Sequence, residues 1–316
     1  MALNVAVIGT GWGKYIVAPA YESLGCDVEL VSPRDGEAVR EAVVGECDLV
    51  SIHSPPFMHV EHVELAVANK RAVLCDKPFG RNATESARML ELANGAGVLH
   101  FLNFEFRFDT LRAKMKELLD TGAIGDPVHL SNTMYYSMGH RSPHGWLFEN
   151  DKGGGWIGAY ASHQVDMLHW LFGEIDALSC RPRIDVVTRP DRDDPGGPAH
   201  EATAEDALTA WFRMENGVTA SIDTSCSSAV DLSAQTTLLG TEGALRLTDN
   251  SELVLQRPGQ EPERFSNAAE NPVAAAQAHW LAKVCEAIGS GQQTGPDFTD
   301  GLACARVLDR MRNGRQ

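Results

Sequence analysis

The sequence predicts an α/β protein in two parts, a doubly wound parallel sheet followed by an α/β domain with an open, mostly antiparallel sheet. Three observations carry this. An apolar run, Asn4–Ile8, feeds directly into Gly9-Thr10-Gly11-Trp12-Gly13. Short apolar runs then alternate with helical stretches as far as Leu102. Beyond Gly125-Asp126-Pro127 the pattern changes to β-branched strands joined by tight turns. The boundary is expected near Gly122, giving residues 1–122 and 123–316.

In the first part, nearly continuous apolar runs suit strands buried on both faces. Asn4–Ile8, Val28–Val31, Asp48–Ile52, Ala72–Cys75 and Val98–Leu102 read as five such strands. Helices are expected at Val17–Leu24, Gly36–Val44, His59–Asn69 and Ala83–Asn94, with Asn82 as a cap on the last and Gly95 and Gly97 ending it. Only one short helix fits between Asp35 and Asp48, so the sheet looks abridged by about one strand there. In the second part, Arg107–Leu119 is helical. Strands are expected at Val128–Tyr136, Ala177–Val187, Ala207–Met214, Val218–Asp223, Ala234–Leu239 and Ala244–Leu247. Pro190–Glu205 reads as an acidic surface loop, and Pro272–Ile288 and Thr299–Met311 as terminal helices.

The 316 residues suffice for two domains. Their 27 basic and 43 acidic residues leave a formal charge of −16, which repels phosphate backbones and anionic lipid. Nucleic acid and membranes are therefore not expected as partners. No run reaches the ~20 apolar residues of a membrane span. No secretory leader is read in the first residues, and the seven cysteines contain no C-x-x-C pair and no zinc spacing. Free thiols, no metal site and a cytoplasmic location are expected. A large antiparallel sheet with one apolar face favours a homodimer or homotetramer.

The glycines of the first turn point to chemistry. Gly9 allows the tight turn out of the strand, and Gly11 lets backbone N–H groups approach a pyrophosphate at a helix N-terminus. A Rossmann domain binding NAD or NADP is the expectation, with Gly9, Thr10, Gly11 and Trp12 on the cofactor. The usual third small residue falls at Lys14, so either Gly13 takes over the close packing or the helix sits farther out. The ribose residue is expected about 20 residues on, where Arg34 and Asp35 are adjacent. An aspartate there favours NAD and an arginine the 2′-phosphate of NADP, and the choice stays open. Ser54, Pro55, His59, Asp76 and Lys77 complete the cofactor assignment.

Two further segments bear on catalysis. Lys77, in Cys75-Asp76-Lys77-Pro78, leaves the C-terminal end of a parallel strand, the edge where such sheets bind ligands. Its ammonium can hydrogen-bond a substrate hydroxyl and the oxyanion it becomes. Gly153-Gly154-Gly155 turns the chain into a helix, about Ala159–Phe172, that carries His163 and Asp166 on one face. His163 is a candidate general base.

Gly9-Thr10-Gly11, Asp76-Lys77-Pro78, Phe106-Arg107-Phe108, Gly122-Ala123-Ile124-Gly125, the Gly153–Asp166 segment and Leu239-Gly240-Thr241-Glu242-Gly243 together resemble the glucose–fructose oxidoreductase / inositol dehydrogenase (Gfo/Idh/MocA) family. The resemblance runs in order along almost the whole chain. It implies a nicotinamide-dependent oxidoreductase acting on a CH–OH group of a sugar, cyclitol or related polyol. It places Lys77 on nicotinamide and substrate hydroxyl, and makes His163 the histidine of an Asp-x-x-x-His pattern that takes the hydroxyl proton. The aspartate of that pattern falls at Ala159, and the family's Glu-Lys-Pro is Asp76-Lys77-Pro78. Substrate contacts are expected from Arg107, Tyr135, Trp146, Tyr160 and His163. Glu105, Tyr136, His140 and His144 are other candidates to replace the missing carboxylate, and Asp166 either orients His163 or lies on the helix surface. Two other functions fit a chain of this pattern: a redox-neutral NAD-dependent glycosidase or lyase, and a non-catalytic dinucleotide-binding regulator.

Overall fold

The computed structural model describes residues 2–194 and 196–314. It divides into two compact units, one formed by residues 1–105, 151–153 and 273–306, the other by 106–150, 154–272 and 307–316. The sequence predicts a second part unbroken to the C-terminus. The structure instead returns residues 273–306 to the first unit. Aromatic packing explains the return: Phe298 lies tilted against Phe79 at 4.4 Å and stacks on His100 at 4.9 Å, and Trp280 meets Phe101 edge-on at 6.1 Å.

The first unit holds β1 (Asn4–Ile8), α1 (Ala18–Ser23), β2 (Asp27–Val31), α2 (Gly36–Val44), β3 (Leu49–Ile52), α3 (His59–Ala68), β4 (Ala72–Cys75), α4 (Ala83–Ala96) and β5 (His100–Leu102). Its strands form one five-stranded sheet in the order β2-β1-β3-β4-β5, parallel throughout. β1, β3 and β4 are almost wholly buried, as their unbroken apolar runs require. β2 is one of the two edge strands, and a single helix, α2, links it to β3. That is the shortened sheet the sequence predicts. The first helical segment starts earlier than expected: a π-helical turn at Gly13–Val17 runs directly into α1. Asn82 caps α4 by accepting from the Glu85 amide at 2.9 Å, and Gly97 ends it at φ +66°.

The second unit holds α5 (Thr110–Asp120), β6 (Pro127–Tyr135), α6 (Ser162–Phe172), β7 (Ile175–Arg183), β8 (Thr188–Arg189), β9 (His200–Glu201), β10 (Ala207–Met214), β11 (Thr219–Ser225), β12 (Leu232–Gly240), β13 (Ala244–Thr248), β14 (Glu252–Gln256) and β15 (Glu263–Ser266). The helices α7 (Pro272–Ser290) and α8 (Phe298–Asn313) follow. Eight of these strands form a sheet in the order β15-β14-β13-β12-β6-β11-β10-β7, antiparallel except for the β6–β11 pair. β10 alternates buried and exposed residues, so Trp211 lies on an open face, 41% exposed. β14 and β15 were not read from the sequence, and β8 with β9 forms a small ribbon around the acidic loop. Among the described residues no helix is long and apolar enough to cross a membrane.

Candidate active site

In the first unit the glycine turn lies against the end of β3. A Cβ on Gly9 would stand 2.8 Å from the His53 carbonyl oxygen, so only glycine fits that crossing. A Cβ on Gly13 would meet His53 Cβ at 3.1 Å and Val7 Cγ1 at 3.3 Å. Gly13 therefore supplies the close helix–strand packing that Lys14 cannot. Nothing lies within 4 Å of the Cβ position of Gly11, which opens the turn toward an approaching group just before a helix N-terminus. These residues fit a dinucleotide pyrophosphate. Arg34 and Asp35 are both exposed where a ribose residue is expected. The Asp35 carboxylate caps α2, accepting from the Ala38 amide at 3.1 Å. The Arg34 amide bonds Ser32 Oγ at 3.3 Å.

Lys77 is set by a buried hydrogen-bond chain. Its amide donates to Asp76 Oδ1 at 2.8 Å. Asp76 Oδ2 lies 3.0 Å from His53 Nδ1, and His53 Nε2 lies 2.9 Å from Ser51 Oγ. Tyr21 continues the chain, its hydroxyl 3.3 Å from the same Ser51 oxygen. A neutral His53 satisfies every member: it donates from Nδ1 to Asp76 and accepts at Nε2 from Ser51, which accepts from Tyr21. From the other side, Asn103 Nδ2 approaches Asp76 Oδ1 at 3.3 Å. Asn103 and Gln277 exchange two bonds, at 3.0 and 2.8 Å. Gln277 Oε1 also accepts from Trp12 Nε1 at 3.1 Å. Burial alone would raise the Asp76 carboxyl, but the hydrogen bond with His53, together with the Lys77 charge and amide, outweighs it and holds the carboxyl below the usual carboxylate value.

Beside this chain, Ser54 and His59 are assigned to the cofactor by the sequence. Here His59 is fully buried and donates from Nε2 to the Ser54 carbonyl at 2.8 Å, while Ser54 Oγ pairs with His62 Nδ1 at 3.0 Å. These bonds shape the loop after β3. Pro55 leads into a 3-10 turn, Pro56–Met58, that starts α3.

In the second unit a π-helical turn, Ile157–Ala161, leads into α6. Gly155 enters it at φ +101°, a region that favours glycine, and a Cβ there would collide with Glu205 Oε1. Glu205 holds the helix start, accepting from the Ile157 amide at 3.0 Å and, through its carbonyl, from Trp156 N at 2.7 Å. Burial raises its carboxyl above the ordinary value. His163, 4% exposed, stacks on Phe106 with ring centroids 4.0 Å apart and planes 14° from parallel. The Arg112 guanidinium also lies over the Phe106 ring, at 4.2 Å. Arg107 grips Asp166 with two bonds, at 3.0 and 2.6 Å.

The expected substrate residues separate. Arg107 stands with the His163 helix, tied to Asp166. Tyr160 is buried, stacks 5.3 Å from Trp156 and donates to Asn132 Oδ1 at 2.9 Å. Trp156 is itself a core residue, its indole N–H donated to Thr224 Oγ1 at 2.9 Å. Tyr135 shares β6 with Asn132 but, three residues on, faces the opposite side of the sheet, beside Asp223. Trp146 is 37% exposed in a 3-10 turn. Ala159 is half-buried one turn before His163. His140 bonds the Ser227 carbonyl at 3.1 Å and His144 stacks on His200 at 5.0 Å. Two parts of the arrangement escaped sequence reading. His53 had a local signal, a polar residue directly after an apolar strand. The Asn103–Gln277 pair had none, because its members lie 174 residues apart.

Comparison with known proteins identifies the family. Residues 34–104 match the model described as an oxidoreductase family with an NAD-binding Rossmann fold, and residues 113–246 match the GFO/IDH/MocA C-terminal domain. The chain belongs to the Gfo/Idh/MocA family. Among relatives in that family, an uncharacterized oxidoreductase of Synechocystis sp. is 31% identical over 242 residues, covering 70% of this chain and 65% of its own length. Levoglucosan dehydrogenase of Pseudarthrobacter phenanthrenivorans is 27% identical over 188 residues, 55% of this chain and 48% of its own length. The chain thus spans less than two thirds of either relative in these matches. A solved levoglucosan dehydrogenase, in complex with NADH and levoglucosan, has the same fold: TM-score 0.88 at 20% identity, covering 99% of this chain and 97% of that one. The match over residues 34–104 is to the NAD-binding Rossmann part of that oxidoreductase family.

Proposed function

We propose that the chain is an NAD- or NADP-dependent dehydrogenase that acts on the CH–OH group of a sugar, cyclitol or related polyol. The observation that carries this reading is the fixing of Lys77. Its amide and the His53 imidazole share the Asp76 carboxylate at the ligand edge of the parallel sheet. When bound, the nicotinamide supplies the hydride acceptor or donor. The chain's own residues manage the proton and the oxygen charge. Lys77 Nζ donates to the substrate oxygen and stabilises its developing negative charge. The His163 imidazole takes the hydroxyl proton, held in orientation by Phe106. The glycine turn holds the pyrophosphate, and Arg34 and Asp35, both exposed, stand where the ribose is expected, the arginine suited to a 2′-phosphate and the aspartate to a free ribose hydroxyl. The open sheet face carrying Trp211 supports a homodimer or homotetramer.

The test is a screen of polyols and sugars, levoglucosan among them, with NAD+ and NADP+, following absorbance of the reduced cofactor. Turnover is expected with wild type and a loss of about 10²–10⁴-fold in Lys77→Ala and His163→Ala. Full rates in both variants would refute the role assignment. Product formed without net cofactor reduction would favour a redox-neutral reaction instead.

A further inference from the structure

Seven cysteines are free, and five of them, Cys47, Cys75, Cys180, Cys226 and Cys304, are buried. The other two are only half-buried, and they meet. Cys26 Sγ and Cys285 Sγ stand 3.8 Å apart although 259 residues separate them in sequence. Cys26 lies in the turn between α1 and β2, its amide bonded to the Tyr21 carbonyl at 3.1 Å. Cys285 lies on α7, eight residues after Gln277. Both belong to the first unit.

We propose that Cys26 and Cys285 form a reversible dithiol–disulfide site that clasps α7 to the edge of the parallel sheet. A disulfide needs the sulfurs at about 2.05 Å, and rotation about each Cα–Cβ bond can bring two sulfurs already in van der Waals contact together. Partial exposure of both residues lets a small oxidant reach them. Burial, with the neighbouring Cys26 sulfur, pushes the Cys285 thiol up.

With a peroxide as oxidant the chemistry balances. The Cys26 sulfur attacks one peroxide oxygen, the O–O bond breaks, and the leaving hydroxide takes the Cys26 proton as water. Cys26 is then a sulfenic acid. The Cys285 sulfur attacks the Cys26 sulfur, the S–O bond breaks, and hydroxide leaves with the Cys285 proton as a second water. Two thiols lose two electrons to hydrogen peroxide, and a dithiol reductant reverses the change. The clasp fixes the helix whose Gln277 bonds both Trp12 and Asn103, so oxidation would stiffen the hydrogen-bond chain behind Lys77. The disulfide itself does not depend on the proposed reaction.

The experiment treats the reduced, intact protein with hydrogen peroxide and counts thiols after denaturation. It then maps the non-reduced digest by mass spectrometry. Thiols are expected to fall from seven to five, with a peptide linking Cys26 to Cys285 that dithiothreitol releases. Cys26→Ser should keep all six remaining thiols, and Cys285→Ser should lose at most the Cys26 thiol, as the sulfenic acid, with no cross-linked peptide. Seven surviving thiols in wild type, sulfinic acid without a cross-link, or a link between other cysteines would overturn the proposal.

Discussion

His53 Nδ1 stands 3.0 Å from the carboxylate of Asp76, and the amide of the very next residue, Lys77, donates to the same carboxylate at 2.8 Å. Removing the imidazole strands Asp76 and Ser51, so His53→Ala should lose about 1–3 kcal/mol of stability. If the pair also aims Lys77, turnover falls with it, on the order of 10- to 100-fold, because small displacements of a positioned group are costly. Asp76→Glu, which restores the family's residue, should retain more activity than Asp76→Asn. Urea unfolding and kcat on the three variants check this. A His53→Ala protein with wild-type kcat would leave the pair a purely structural role.

A second expectation concerns acid. Burial lowers the His59 and His100 imidazoles, and burial followed by the His59 charge lowers His62 to about 4. In the unfolded chain a histidine binds its proton near pH 6.5. Below that value the unfolded state takes up protons that the fold refuses. Stability is therefore complete above about pH 6.5 and is lost as pH falls toward 4. His62 alone accounts for about 3 kcal/mol. Asp76, with its carboxyl held down, weakens only at still lower pH, below the unfolded carboxylate value near 3.9. Unfolding free energies at pH 7 and 4.5 should drop in wild type and drop less in His62→Gln. Equal drops in the two proteins would rule out the histidine contribution.

The Phe106 ring carries a separate test. It stacks on His163 at 4.0 Å, and Arg112 lies over it at 4.2 Å, contacts worth roughly 0.5–1.5 kcal/mol each. Phe106→Leu keeps apolar bulk but gives up the flat surface that holds the imidazole. A roughly tenfold fall in kcat is expected, on the scale of a positioning loss. Phe106→Tyr should restore it, with cofactor affinity unchanged in both. If Phe106→Leu turns over like wild type, the stack does not orient His163.

Elements bounded by strong local signals were legible in the sequence. α2, β4 and β10 fall on the residues their patterns indicate, and Asn82 and Gly97 frame α4 through side-chain and backbone chemistry that needs no tertiary partner. β15 was not, because it is mostly exposed and offers no apolar alternation, and β14 has only three apolar residues between polar ends. The return of α7 to the first unit escaped for a different reason. Periodicity shows that a helix has an apolar face but not which sheet the face meets, and the Trp280–Phe101 contact joins residues 179 apart in sequence. The site was legible where spacing carried it, at Gly9–Gly13, Lys77 and His163. The support behind those residues, His53, Asn103 and Phe106, comes from packing between segments distant in sequence.

Arg107 offers the sharpest separation of a structural from a substrate role. It holds Asp166 through two bonds, the aspartate side chain being 2% exposed and the arginine 13%. Removing the guanidinium leaves a carboxylate buried beside the helix that carries His163, a loss of about 3–5 kcal/mol. Arg107→Ala should therefore melt well below wild type. The Arg107→Met, Asp166→Leu double variant should recover part of that loss, because replacing both charges removes the burial penalty along with the attraction. A substrate-binding arginine would behave differently, raising KM with little change in stability. Unfolding free energies for Arg107→Ala and the double variant, with KM for the best substrate, distinguish the two cases. An Arg107→Ala protein within about 1 kcal/mol of wild type but with a raised KM would move Arg107 from the scaffold to the substrate.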